Sequence, residues 1–76
     1  MRVKVKGVGA VKKYIEGRKT PYVNLPPEAS ILDLIKKLNL NPQLVAMVTV
    51  NGRVVGKDYK PKEGDEVFLM NIFSGG

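Results

Sequence analysis

The chain has 76 residues, enough for one small domain with a thin hydrophobic core. It contains neither cysteine nor histidine, which excludes disulfides, cysteine-ligated metals and nucleophiles activated by a histidine base. Thirteen basic residues against seven acidic ones give a net charge of +6, which favours an acidic partner, either a nucleic acid or an acidic protein surface.

The apolar residues are too dispersed for insertion into a membrane. The longest apolar run, Leu44–Val48, has five residues, whereas a membrane-spanning helix needs about 20. After Met1, basic residues alternate with valines, so this segment has no apolar stretch of the kind found in a signal peptide. We therefore expect a cytoplasmic protein with no membrane partner.

Two strands are predicted in the first third of the chain. Arg2–Lys6 alternates valine with lysine, a pattern typical of a half-buried strand. Gly7 and Gly9 predict a bend or bulge, after which we expect Val11–Tyr14 to continue the strand. Tyr22–Leu25 is the second predicted strand, and two prolines end it because neither can donate a ladder hydrogen bond.

One helix is predicted, from Ser30 to Leu38. The Ser30 hydroxyl can cap the first turn while Asp33, three residues later, bonds back in a variant of the capping box. The apolar residues that follow recur at i, i+3, i+4 and i+7 and form a single stripe: Ile31, Leu34, Ile35 and Leu38.

The second half of the chain predicts a hairpin and a final strand. Leu44–Val50 is rich in β-formers, with Ala46, Val48 and Val50 in alternation. The Asn51-Gly52 pair predicts a hairpin turn, and Arg53–Val55 is the return strand. Glu66–Ile72 is apolar on both faces, with one face made by Val67 and Leu69 and the other by Phe68, Met70 and Ile72. Such a strand is usually central.

These elements predict an α+β domain in which one helix covers one face of a single mixed sheet. A single helix cannot also cover the second face, so part of the Phe68 and Met70 side is expected to be open to a partner. The alternative is that both side chains belong to the core.

The charged residues do not predict a catalytic or metal site. Glu63, Asp65 and Glu66 surround a glycine, which favours a solvated turn over a general acid–base pair. The lysines are spread along the chain without a linking aromatic motif. Nucleic-acid binding is therefore a weaker hypothesis than a solubilising or protein-docking surface.

Three short blocks carry a family resemblance: Val50-Asn51-Gly52, then Gly64-Asp65-Glu66-Val67, then Phe73-Ser74-Gly75-Gly76. The final Gly-Gly pair directly follows the last predicted strand. In this order the blocks resemble those of the ubiquitin-like β-grasp sulfur carriers of the MoaD and ThiS type, and the pattern covers nearly the whole chain. The resemblance implies a β-grasp fold, with a mixed sheet of four to five strands packed on one main helix.

The resemblance also implies a function without catalysis by this chain. Gly76 would be adenylated by an E1-like activating enzyme, which uses the ATP, and then converted to a thiocarboxylate with sulfur from a persulfide protein. The chain itself would bind no cofactor and no metal. The sulfur acceptor would be an enzyme such as a molybdopterin synthase large subunit, for a molybdenum or tungsten cofactor, or, less favoured, a thiazole synthase of thiamin biosynthesis.

The expected site residues fall into two groups. Residues 1–73 form the predicted domain, and residues 74–76 form a tail in which Gly76 is the reacting residue. Phe73, Ser74 and Gly75 are expected to thread into the activating enzyme, where two terminal glycines suit a narrow channel. Phe68 and Met70, together with Phe73, are expected to dock on that enzyme.

Two other functions stay open at this point. The chain could be a protein modifier that is joined through Gly76 to a lysine of a target, since carrier and modifier share the activation step. An RNA-binding β-grasp module is the weaker alternative, because only the net charge of +6 supports it.

Overall fold

The computed structural model describes residues 1–72, which form five strands, two α-helices and a 3-10 helix. In chain order these are β1 (Arg2–Gly9), α1 (Lys12–Ile15), β2 (Tyr22–Asn24), α2 (Ile31–Lys37), the 3-10 helix (Pro42–Leu44), β3 (Met47–Val50), β4 (Arg53–Val55) and β5 (Glu66–Asn71).

All five strands belong to one mixed sheet with the order β2-β1-β5-β3-β4. The central strand β5 is parallel to β1 and antiparallel to β3, and the two outer pairs, β1–β2 and β3–β4, are antiparallel. This is the β-grasp arrangement expected from the sequence. The prediction that the last strand lies in the centre of the sheet is confirmed.

The hydrophobic core lies on one face of the sheet. Ile31, Leu34 and Ile35 of α2 are completely buried there, as are Val67 and Leu69 of β5. The core also contains buried valines of β1, β2 and β3 and buried valines and leucines of the connecting segments: Val3, Val5, Val11, Val23, Leu25, Leu40, Val45, Val48 and Val50.

Helix α2 has the predicted start and end. The Ser30 hydroxyl accepts a hydrogen bond from the Asp33 N–H (3.2 Å), and the Asp33 carboxylate accepts one from the Ser30 N–H (2.9 Å). The bond from the Ser30 N–H, a second bond that the Ser30 hydroxyl donates to the same carboxylate (3.1 Å), and the charge of Lys36 hold the pKa of Asp33 below its ordinary 3.8. The helix ends with Leu38 as its C-cap.

The predicted continuation of the first strand through Val11–Tyr14 is wrong, because the chain there forms the short helix α1. Val11 and Ile15 are four residues apart and both enter the core, so one helical turn buries them together. The helix packs directly on Gly7, where a Cβ atom would lie 2.9 Å from the Lys12 Cα. Gly7, expected to mark a bend, instead lets helix α1 pack closely against β1.

The predicted strand at Leu44–Val50 begins later than expected, at Met47. Pro42 starts a 3-10 helix instead, and the Asn41 side chain caps it by accepting the Gln43 N–H (2.9 Å). Val45 is buried and Ala46 is exposed, which reverses the alternation expected before Met47. From Val48 onward the predicted alternation holds.

Candidate docking face and carrier site

The sheet face that points away from α2 is the open face. Phe68 and Met70 of β5 lie at its centre, and both are half-buried. Residues paired across neighbouring strands project on the same side. The open face therefore includes, around these two side chains, Lys6 and Val8 of β1 and Met47 and Thr49 of β3.

The open face is apolar in the middle and at the β3–β4 side. Met47 is 43% exposed and Val54, which pairs with Thr49, is 68% exposed. An exposed cluster of apolar side chains on one face marks an interaction site when the cluster is contiguous. This placement separates Phe68 and Met70 from the core, in which Val67 and Leu69 have no exposed surface.

The β1–β2 side of the open face is basic and aromatic. Lys4 lies 3.8 Å from the Glu66 carboxylate, and both side chains are well exposed. Lys6 forms no ion pair within residues 1–72. The Arg2 guanidinium lies over the Tyr22 ring, 4.4 Å from its centroid. The face thus combines an apolar centre with cations at one border.

Two of the sequence blocks behind the family resemblance are bonded to each other. The Asn51 amide donates to Asp65 (3.0 Å) and accepts the Glu66 N–H (2.9 Å), while the Asn51 N–H donates to the Glu66 carbonyl (2.8 Å). Asp65 also accepts the Lys62 N–H (2.8 Å). These bonds fix where β5 starts.

The acidic cluster at residues 63–66 is structural. Glu63 accepts the Arg2 N–H (2.8 Å), so one carboxylate joins the turn before β5 to the start of β1. The interpretation as a surface turn is therefore supported. Within residues 1–72 there is no group of three or more carboxylates that could hold a metal ion. The helices of these residues are too short to span a membrane.

The carboxyl end of β5 is held by its last residue. The Asn71 carbonyl accepts the Ala10 N–H (2.8 Å), and its side-chain amide donates to the Leu44 carbonyl (2.8 Å). Ile72 follows and is 69% exposed. The expected site residues Phe73, Ser74, Gly75 and Gly76 lie outside the described residues.

Three features of this site are not predicted from the sequence. Met47 and Val54 join the open face, and the Asn51–Asp65 bond links two turns that are distant in the chain. Strand alternation alone could place Met47 and Val48 on opposite faces of the sheet. The pairing of β3 with both β4 and β5 is needed to bring the Met47 and Val54 side chains to the face of Phe68.

Comparison with known proteins gives a family match and several similar structures. The ThiS family model matches residues 11–76. No curated protein matches the chain by sequence. A putative molybdopterin converting factor, subunit 1, from Pyrococcus furiosus is 26% identical, with a TM-score of 0.68 over 92% of this chain and 95% of that one.

Two structures from Haloferax volcanii share the fold at lower identity. SAMP1 is 20% identical with a TM-score of 0.73, and both chains are covered completely. A structure described as small archaeal modifier protein 1 is 18% identical with a TM-score of 0.68, over 91% of this chain and 94% of that one.

Proposed function

This chain belongs to the ThiS family, and we propose that it carries sulfur as a thiocarboxylate on the carboxyl carbon of Gly76. Members of the family are small non-catalytic carriers, and one of the similar structures is described as a modifier protein. The observation that carries the proposal is the family match, which spans most of the chain and extends to Gly76 itself.

The chemistry needs a partner because a carboxylate is a poor electrophile. A terminal carboxyl has a pKa of about 3.5 and is ionised at neutral pH. A carboxylate oxygen of Gly76 attacks the α-phosphorus of ATP on the activating enzyme, and pyrophosphate leaves. A persulfide sulfur then displaces AMP from the acyl-adenylate. A second thiol of the donor protein then attacks the donor's cysteine sulfur in the resulting acyl disulfide, which forms a disulfide within the donor and releases the thiocarboxylate.

The reach of the tail fits such a reaction. The four residues 73–76 span at most about 13 Å when extended. The bulk of the domain can thus stay outside the enzyme while the carboxyl group enters. Two glycines at the end add no side chains to this segment, which suits a narrow entry channel.

The open face is the proposed docking surface for the activating enzyme. Phe68 and Met70 lie on the central strand, and that strand leads directly into the tail. A partner that covers the open face would therefore hold the tail at a fixed distance from its nucleotide. Lys6 at the border can steer the chain toward an acidic partner.

Intact-mass spectrometry tests the carrier function. The chain is incubated with ATP, a cognate activating enzyme and a persulfide donor, and we expect the mass shift of one oxygen replaced by sulfur, confined to Gly76. Deletion of Gly76 or the Gly75→Val substitution should abolish the shift, since an error of about 1 Å in position can cost about 100-fold. Absence of the shift in the unaltered chain contradicts the proposal.

Gly17→Val is the matched control. A Cβ atom at Gly17 would have no other atom within 4 Å, and the residue lies far from the tail in sequence. This variant should fold and gain sulfur as the unaltered chain does. A loss of sulfur in Gly17→Val would mean that the glycine substitutions act through folding.

The favoured acceptor is a molybdopterin synthase large subunit, because the Pyrococcus furiosus relative is described as a molybdopterin converting factor subunit. The thiocarboxylate form is mixed with that subunit and its precursor, and separately with a thiazole synthase and its substrates. Loss of sulfur only in the first mixture supports this choice. Loss only in the second assigns the chain to thiamin biosynthesis.

A modifier function is the second candidate, and the likeness to small archaeal modifier protein 1 is the observation that favours it. In cells that express a tagged chain, a modifier would give tryptic peptides in which residues 63–76, released by cleavage after Lys62, are isopeptide-linked through Gly76 to target lysines. Deletion of Gly76 would remove them. If these linked peptides are absent and sulfur is present on Gly76, the chain is a carrier and not a modifier.

A further inference from the structure

A cavity of about 280 Å³ lies between α1, strand β1 and the segment that leads into β2. Val5, Ile15 and Pro21 form its apolar part, and Lys6, Lys12 and Arg18 also line it. We call it the basic cavity. Val5 pairs with Val67 and points to the core side of the sheet, whereas Lys6 pairs with Phe68, so the basic cavity lies at the edge of β1 and shares Lys6 with the border of the open face.

The cations of the basic cavity have no carboxylate partner in residues 1–72. The ion pairs there are Lys4 with Glu66 and Lys60 with Glu28, so Lys6, Lys12 and Arg18 are not neutralised. The cavity lining contains a single carboxylate, Glu16, and two more cations flank the lining residues in sequence: Lys13 and Lys19. Charge complementarity therefore selects an anionic ligand with several charges.

The lining of the basic cavity argues for an apolar side chain as part of its occupant. Its volume is close to the lower end of the usual range for small-molecule sites, about 300–1,000 Å³, so the lining decides the choice. Its apolar part favours a hydrocarbon group over a phosphate, which makes no apolar contact. An aliphatic side chain flanked by carboxylates satisfies both the apolar residues and the cations.

The neighbouring strand leaves room for an extended ligand. Strand β2 pairs only with Arg2–Lys4 of β1, and residues 6–9 of β1 pair only with β5 within the described sheet. The Val5 N–H donates to the Pro21 carbonyl (2.8 Å), so the part of the β1 edge without a strand partner begins at Lys6. Unpaired strand edges accept extended chain segments through backbone hydrogen bonds.

We propose that the basic cavity is a second docking site, which binds an extended acidic segment of a partner protein through one buried aliphatic side chain. This site goes beyond the proposed carrier function and does not depend on it.

An amide NMR titration of the isotope-labelled full chain tests the proposal. The probe is an acetylated and amidated peptide with the sequence Glu-Asp-Glu-Leu-Glu-Asp-Glu, and its control has serine in place of leucine. We expect shifts centred on Gly7, Ile15 and Thr20, and an affinity about tenfold or more higher for the leucine peptide. No shifts at about 1 mM peptide, a concentration that detects even weak binding, overturn the proposal.

Matched variants separate this site from general charge attraction. The double substitution Lys12→Ser with Arg18→Ser should weaken binding of the leucine peptide by roughly tenfold. Lys36→Ser with Lys62→Ser removes the same charge from other exposed positions and should change the affinity little. Equal losses in the two variants, or shifts spread over all lysine positions, overturn the proposal.

Competition distinguishes the ligand class. If a short oligouridine binds the same residues more tightly than the leucine peptide, the surface is a nucleic-acid site and the proposal is wrong. If inorganic phosphate displaces the peptide at equal concentration, the cations form only an anion site, which also overturns it. Persistence of the peptide against both ligands supports an acidic protein partner.

Discussion

Gly9 is the residue at which the chain leaves β1, and its geometry excludes any side chain. Its φ is +68°, in the left-handed region that favours glycine. A Cβ atom there would lie 2.1 Å from the Asn71 carbonyl oxygen, which accepts the hydrogen bond of the next residue, Ala10. Gly9 thus permits the close contact that holds the end of β5, immediately before the tail.

Gly9→Ala should lower the free energy of unfolding by more than about 2 kcal/mol, because backbone strain adds to a clash with rigid backbone. Gly52→Ala has comparable strain, at φ +85°, but no atom within 4 Å, so only about 1–2 kcal/mol is expected. Gly17→Ala has neither and should be nearly neutral. Urea denaturation measures all three, and equal losses at Gly9 and Gly52 would contradict the steric argument.

The capping box of α2 makes stability depend on acid pH through Asp33. Its folded pKa is lowered, so its contribution is complete above the unfolded value of 3.8 and is lost as the pH falls through the folded pKa. The stability difference between the unaltered chain and Asp33→Asn should therefore shrink as the pH falls from about 5 to about 3, because the ordinary pKa of an aspartate lies within this range. A difference that does not change with pH would contradict it.

Ser30→Ala tests the other half of the capping box. The loss of the hydroxyl acceptor should cost about 1 kcal/mol in the free energy of unfolding at neutral pH. Thermal unfolding followed by circular dichroism measures this loss. Thr20→Ala is a comparison, because its hydroxyl accepts a backbone N–H only in a surface loop, and it should cost less than Ser30→Ala.

At the scale of elements, the turn before β5 and the β3–β4 hairpin form one unit. Asn51 has a φ of +52°, so it occupies the left-handed region that its hairpin requires, and its side chain bonds to Asp65 and Glu66. The register of β5 is thereby fixed at its first residue. A slip of one residue would exchange Leu69 with Phe68 between core and open face.

A double-mutant cycle measures this link. Asn51→Gly keeps the backbone conformation and removes the amide, and with Asp65→Ala we expect a coupling energy of about 1 kcal/mol. Asn51→Gly with Asp58→Ala is the control, since Asp58 does not bond to Asn51, and it should be additive within about 0.5 kcal/mol. Urea denaturation of each variant gives the energies. Additivity at Asp65 would show that the two turns are independent.

Elements with a repeated local signal are predictable from the sequence, and those set by contacts are not. The α2 stripe spans two turns, and the two-faced β5 alternates over six residues, so the pattern predicts both correctly. Helix α1 has only one turn, and its cause is the burial of Val11 and Ile15 against β1. A four-residue window cannot distinguish that pattern from a strand.

At the scale of the whole molecule, the sheet divides the domain into a covered face and an open one. The alternation in β5 predicts that Phe68 and Met70 share a face, and the presence of one main helix predicts that this face is uncovered. Which other side chains complete the face depends on strand order. Met47 and Val54 become part of it because β3 pairs with β5 and β4 pairs with β3.

Phe68→Ala tests whether the open face docks the activating enzyme. Phe68 is half-buried and its neighbour Leu69 is fully buried, so Leu69→Ala should cost about 2–5 kcal/mol in stability and Phe68→Ala clearly less. If Phe68 anchors the partner, the KM for the chain in ATP-dependent adenylation should rise by roughly tenfold or more while kcat stays the same, because a central aromatic anchor contributes strongly to binding.

The KM for the chain in adenylation is measured on the folded fraction of each variant. Lys36→Ala, on the exposed side of α2, is the control. The control should change neither KM nor stability appreciably. The rate of association should also fall as salt rises, because the Lys4 and Lys6 border of the open face attracts an acidic surface. Should Phe68→Ala cost as much stability as Leu69→Ala and leave the KM unchanged, Phe68 is a core residue and the activating enzyme docks elsewhere.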